Sequence, residues 1–202
     1  MDEALRHFRK TDPVLYKAAL KIRASLEAPA RKPRRGNTTP FGSLASAVVS
    51  QQLATKAAAS IWERVRQACG GRVTAGTIAA TPMAKLRRAG LSGAKAKALK
   101  ALAKEVNGGL NLPSLRAKSP EEATEALTRI WGIGPWTAEM FLMFGLQHPD
   151  IFSPRDLGLV RAMESLYGLK NPSIQGLEAI ALAWSPHRTL ACRVLWRTRD
   201  SA

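Results

Sequence analysis

The sequence predicts an all-α fold, and three observations carry that prediction. Helix start and stop signals recur along the chain, with Ser or Thr followed by Pro at the start and Gly at the end. No stretch alternates apolar and polar residues in strand fashion for more than a few positions. The longer segments are rich in Ala, Leu and long unbranched side chains, which favour helix. The chain has 202 residues, 46% of them hydrophobic, enough to bury a core as one domain or as two small subdomains.

An N-terminal helix precedes APARKPRRGNTTP, residues 28 to 40, whose proline and basic content marks either a solvated linker to the main body or a specific basic arm. FGSLASAVVSQQLATKAAASIWERVRQACGG reads as helical despite its two adjacent valines. TPMAKLRRAG repeats the Thr–Pro start and Gly stop, and LSGAKAKALKALAKEVNGG predicts a helix from near Ser92 to Asn107, Gly108 and Gly109. SPEEATEALTRIWG starts with Ser119 as N-cap, Pro120 at the first position and Glu122 closing a capping box. Its Ala123, Ala126, Leu127, Ile130 and Trp131 share one face, and Gly132 stops it. A second helix starts at Pro135, and in FSPRDLGLVRAMESLYG a further one has Ser153 as N-cap and Asp156 in its first turn.

No apolar run approaches the roughly 18 residues of a membrane span, and MDEALRHFRK lacks a signal-peptide core. Two cysteines make neither a disulfide framework nor a zinc or iron–sulfur set. The expectation is a soluble intracellular protein. Its charge says more: 31 Lys+Arg against 15 Asp+Glu gives +16 and a pI near 10.8. That excess points to a polyanionic partner, nucleic acid before a ribosomal or anionic-membrane surface.

The most informative stretch is RIWGIGPWTAEMFLMFG, residues 129 to 145. Gly132, Ile133 and Gly134 join two helices in a very tight hairpin. The glycines permit positive φ and a close approach of another molecule, and Ile133 fills the gap between the helices. The second helix points its N–H groups and positive dipole end out of the turn, a ready site for a backbone phosphate. A purely structural αα-corner would use the same residues.

LTRIWGIGPWTAEMFLMFG resembles the helix-hairpin-helix motif of the HhH-GPD DNA base-excision glycosylase superfamily, and SPRDLG resembles the segment ending in its catalytic aspartate. FGSLASAVVSQQLATKAAASIWERV is similar to its helix bearing a Gln–Leu pair near the lesion, and AGLSGAKAKALKALA to a further recurring segment. The likeness runs in order from about residue 36 to the C-terminus and is greatest to the 3-methyladenine DNA glycosylase II branch, which excises alkylated bases. It implies two helical subdomains, residues 1–44 plus 146–202 and residues 45–145 with the hairpin at 119–145, a cleft between them that holds the base, and no N-terminal β-domain.

The resemblance also implies roles. Asp156 would be the catalytic carboxylate, stabilising the positive charge that builds on the sugar as the C1′–N bond breaks. Its place near a helix start would equally suit a plain dipole-complementing residue. Trp136 stands where bifunctional relatives carry the lysine that attacks the sugar, so a monofunctional enzyme leaving an abasic site is expected. Its indole would stack on a flipped cationic alkylpurine, with His187 beside it where relatives often have an aromatic. Arg155 stands where some relatives carry a second aspartate and adds positive charge.

Leu53 would be the wedge filling the vacated stack, with Gln52 beside it. Thr55 and Lys56, then Ser92, Gly93 and Lys95, and in the hairpin Gly132, Ile133, Gly134 and Thr137, are the expected DNA contacts. The lysines near Ser92 equally suit a general basic face. Trp62, Trp131, Trp184 and Trp196 read as core.

The expected function is therefore removal of 3-methyladenine, 7-methylguanine and related bases from duplex DNA by a monomer, in a cytoplasmic (bacterial nucleoid-associated) or nuclear setting. No redox cofactor is implied; the family suggests a monovalent cation between hairpin carbonyls and a DNA phosphate. A non-catalytic DNA-binding module, or a glycosylase for hypoxanthine or 1-methyladenine, remains open.

Overall fold

A computed structural model describes residues 1–27 and 39–200, apart from the side chains of 199 and 200. Most of the basic segment 28–40 thus lies outside the described residues. Those described form thirteen α-helices and one short 3-10 turn, with no strand among them. The chain divides into two compact units, Met1–Arg31 with His148–Ala202, and Lys32–Gln147. No described helix is long and apolar enough to cross a membrane.

The terminal unit begins with α1 (Asp2–Thr11), α2 (Pro13–Lys21) and α3 (Arg23–Glu27). α1 buries Ala4, Leu5 and Phe8 at helical spacing, and carries acidic residues in its first turn and basic ones in its last, complementing its dipole. Asp12 ends α1 and caps α2, accepting from the Leu15 N–H at 2.9 Å.

The central unit opens with α4 (Pro40–Ser50), whose N-cap Thr39 accepts from the Gly42 N–H. α4 packs on α5 (Thr55–Ala68), on α8 (Gly93–Asn107) and on α10 (Pro135–Phe144), so residues 39–44 lie with the central unit and not with the terminal one as expected from sequence. This helical region is interrupted at 51–54, where Gln52 takes φ +52°. Between these helices run α6 (Ala75–Ala80), α7 (Met83–Arg88) and, before α10, α9 (Pro120–Thr128). Trp62, Leu44, Ile78, Leu99, Leu127 and Phe141 fill the core.

The capping box forms as read: Glu122 N–H donates to Ser119 Oγ at 3.1 Å, and Ser119 N–H to Glu122 Oε2 at 3.0 Å. α9 nevertheless stops at Thr128, three residues short of the expected Trp131. The chain turns early, Ile130 and Ile133 take the buried places, and Trp131 is 47% exposed instead of core. Its outer face is covered by the Lys97 ammonium, 4.3 Å from the ring centroid.

Several cations close helix ends. Lys95 donates to the carbonyls of Val49 and Gln51 at the end of α4, Lys100 to Ala79 at the end of α6, and Arg64 to Ala89 after α7. These are the orphan carbonyls every helix C-terminus leaves. Burial lowers the Lys95 pKa below the ordinary lysine value.

The terminal unit is completed by α11 (Leu157–Tyr167), α12 (Ile174–Leu182) and α13 (Arg188–Asp200) around Phe8, Leu15, Met163, Trp184 and Leu195. Asp12 is 8% exposed and accepts from Tyr167 OH and Trp184 Nε1 at 2.6 and 2.7 Å. Burial, then the Asp12 contact, pushes the Tyr167 hydroxyl far above its ordinary pKa, so it stays a donor. Cys69 in the central unit and Cys192 in the terminal one are both buried thiols.

Candidate functional site

In the central unit the hairpin is built as its sequence demands. Gly132 has φ +83°, and a Cβ there would lie 2.5 Å from the Ala98 Cβ of α8, so both backbone angle and space require glycine. Ile133 is 4% exposed and plugs the turn. Gly134 is the N-cap of α10, is exposed, and has no heavy atom within 4 Å of an added Cβ. No side chain caps that end, so the dipole and open backbone face outward.

A residue the sequence reading passed over ties this hairpin to the turn after α4. The Gln51 amide donates to the Gly132 carbonyl at 3.0 Å and to the Thr137 hydroxyl at 2.9 Å. Thr137 is 2% exposed, and its hydroxyl serves as Gln51's acceptor. From the other side Lys95 holds the Gln51 carbonyl at 2.6 Å. Its ammonium is thereby engaged inside the unit.

The turn held this way presents Gln52 and Leu53, both exposed. Lys56 lies exposed in the first turn of α5. Ser92 caps α8 by accepting from the Lys95 N–H, and Gly93 follows it on open surface. Trp136 sits half-buried in the first turn of α10. Phe144, at the far end of α10, is 53% exposed.

In the terminal unit Asp156 is itself the N-cap of α11, and not a first-turn residue behind Ser153. Ser153 is fully buried, and its carbonyl accepts the Asp156 N–H at 3.1 Å. Asp156 Oδ1 accepts from the Leu159 N–H at 2.8 Å and from the Trp196 indole at 2.9 Å. Trp196 is therefore half-buried beside the carboxylate, not core as read; no local sequence signal relates the two. Arg155 is exposed, and Leu157 is 71% exposed. His187 packs edge-on against His7 and Phe8 of α1, at 5.5 and 6.3 Å between ring centroids, and so helps hold that helix.

The segment leading to Asp156 is stitched to α13. Arg188 binds Asp150 through Nε and Nη2 at 2.8 and 3.0 Å, and Thr189 bonds His148 O and Ile151 N–H. Burial raises the Asp150 pKa, but the bonds from Arg188 and Ser185 outweigh it and hold the carboxyl below the ordinary value.

Among the described residues no group of His, Cys, Asp or Glu is arranged to hold a metal. A cation at the hairpin would rest on backbone carbonyls, which are hard oxygen donors. The Gly132 oxygen already accepts from Gln51, and the Gly134 oxygen from the Thr137 and Ala138 N–H groups.

Known proteins resemble this chain in sequence and in fold. A DNA-3-methyladenine glycosylase of Schizosaccharomyces pombe is 35% identical over 168 residues, which span 81% of this chain and 74% of that protein. A 3-methyladenine DNA glycosylase of the same yeast, solved with abasic DNA, superimposes with a TM-score of 0.84 at 30% identity, over 98% of this chain and 97% of that one. A DNA-3-methyladenine glycosidase from Bacillus halodurans gives 0.78 at 33% identity, over 96% and 88%. The model of the HhH-GPD superfamily base excision DNA repair protein matches residues 45–187, from α4 through the hairpin and Asp156 to His187. By sequence and by fold, the chain belongs to the HhH-GPD superfamily of base excision DNA repair proteins.

Proposed function

We propose that the protein is a monofunctional glycosylase of the 3-methyladenine type II kind, removing cationic alkylpurines such as 3-methyladenine and 7-methylguanine from duplex DNA. The observation that carries this reading is the Asp156 carboxylate, oriented at the start of α11 by two N–H donors. As the C1′–N bond breaks, its electron pair neutralises the charged base, which leaves without needing a proton. Positive charge on the sugar is met by the carboxylate, water adds to C1′, and its proton passes to solvent. Trp136 in place of a lysine supports an abasic-site product, because no amine stands there to form a Schiff base.

The central unit supplies duplex binding. The Gly134 end of α10 and the Ser92–Gly93 start of α8 offer backbone N–H groups to phosphates, with Lys56 as a side-chain contact, and Leu53 fills the stack when the base leaves it. A monovalent cation on the hairpin carbonyls fits as a further phosphate contact and plays no part in bond cleavage.

Single-turnover base release from methylated duplex DNA tests the reading. Wild type should release base and leave alkali-labile sites, and Asp156→Asn should slow release about 100-fold or more while still binding DNA. Strand breaks without alkali would overturn the monofunctional assignment. No release with intact binding would leave a DNA-binding module.

A further inference from the structure

We propose that Trp196 is a positioning residue for Asp156, fixing the plane of its carboxylate; this rests on the catalytic role given to Asp156 above. The Leu159 N–H, from the carboxylate's own helix, sets the distance of Oδ1 from the start of α11. A single amide bond does not by itself set the plane of a carboxylate. The Trp196 N–H reaches the same oxygen from α13, 40 residues away, and supplies a second fixed direction. Indole is a donor only, so the pairing has one sense.

The fixed point is itself well held. Cys192, Val194 and Leu195 on the same helix are fully buried, which anchors α13 in the terminal unit. The Asp150–Arg188 and Thr189 bonds tie the first turn of α13 to the segment that delivers Asp156. Donor and acceptor thus hang from one stitched assembly within the terminal unit, the kind of support that keeps a reacting group in place.

The same unit contains a contrasting pair. Trp184 also donates its indole N–H to a carboxylate, that of Asp12, which accepts from Leu15 N–H on Oδ1 and from Tyr167 and Trp184 on Oδ2. Asp12 is 8% exposed and Trp184 0%, which makes that pair a core element. At Asp156 the indole and the amide converge on Oδ1, and both residues are only half-buried. The arrangement orients the carboxylate without sealing it in.

Two replacements separate positioning from packing. Trp196→Phe keeps most of the ring and loses the N–H. Trp196→His loses the outer ring but places its Nε2 where the indole nitrogen stands. Positioning predicts that Phe slows single-turnover release about 10- to 100-fold, with affinity for abasic-site duplex unchanged, and that His is the faster of the two. In the Asp156→Asn background, Trp196→Phe should remove nothing more.

Release faster in Phe than in His, or a loss that adds to that of Asp156→Asn, would overturn the inference and assign Trp196 to packing alone. Should Phe unfold, as read by circular dichroism, a folded His variant with less than about a tenth of wild-type release would also overturn it. An Asp156→Asn enzyme as active as wild type would instead overturn the function on which the inference rests.

Discussion

Gly132 and Gly134 flank one isoleucine, and the structure gives them separate tasks. Gly132→Ala must hold φ +83° and press its Cβ to 2.5 Å from that of Ala98. Unfolding by denaturant should show a loss of about 2–5 kcal/mol. Gly134→Ala meets no atom within 4 Å and should change stability by only about 0.5 kcal/mol. It should nonetheless weaken duplex binding about tenfold, measured by fluorescence anisotropy, if the proposed function is right, because a methyl group would then stand in the path of the proposed phosphate contact. Asp150 makes a prediction in pH. Its folded pKa is depressed, so its contribution is fully present above the ordinary aspartate value of about 3.9 and is lost as pH falls from there through the folded value. Melting temperature followed from about pH 5 to pH 2 should fall through this window, and less steeply in Arg188→Met. At this scale the sequence was legible where a side chain's task is local: Ser119, Gly132 and Ile133 do what their neighbours imply. Trp196 was not legible, because its partner stands 40 residues away and only helix packing brings them together.

Among the elements, the break between α4 and α5 has the largest functional meaning, and what holds it in place was the least readable. Residues 41–71 favour helix throughout by composition, yet 51–54 form a turn. What holds it open is distant: Lys95 lies 44 residues on from Gln51, and Gly132 and Thr137 lie 81 and 86 residues on. No local signal carries such contacts, which also explains why the sequence directed attention to Gln52 and left out Gln51. Gln51→Leu withdraws a donor from the buried Thr137 hydroxyl and frees the turn from the hairpin. Stability should fall by about 1–3 kcal/mol, and affinity for duplex DNA should fall with it in the same titration. A variant that melts and binds as wild type does would separate the turn from the hairpin and refute the coupling. α9 taught a smaller lesson: its capping box predicted the start correctly, but its end was set by burial of Ile130 and Ile133, which left Trp131 outside.

For the whole molecule, the charge of +16 overstates what is available to DNA. Lys95, Lys100 and Arg64 bind helix carbonyls, and Arg188 binds Asp150. Affinity for duplex should therefore fall with salt at a slope set by about 4–8 phosphates, at roughly 0.9 log unit each, well short of one per net charge. A flat response would refute electrostatic binding. The all-α class was readable from composition and caps, whereas the division into units followed packing: the boundary expected at residue 44 falls inside α4, which lies with the central unit.

The two cysteines have a consequence of their own. Cys69 and Cys192 are enclosed in different units. Each thiol reacts with an alkylating reagent only when its surroundings open, and thiol chemistry is slow in a closed apolar setting. The chain thus carries a natural clock in each half. Timed labelling followed by peptide mass analysis would read the opening rate of each unit without adding a probe, and unequal rates would mean that the two units open separately.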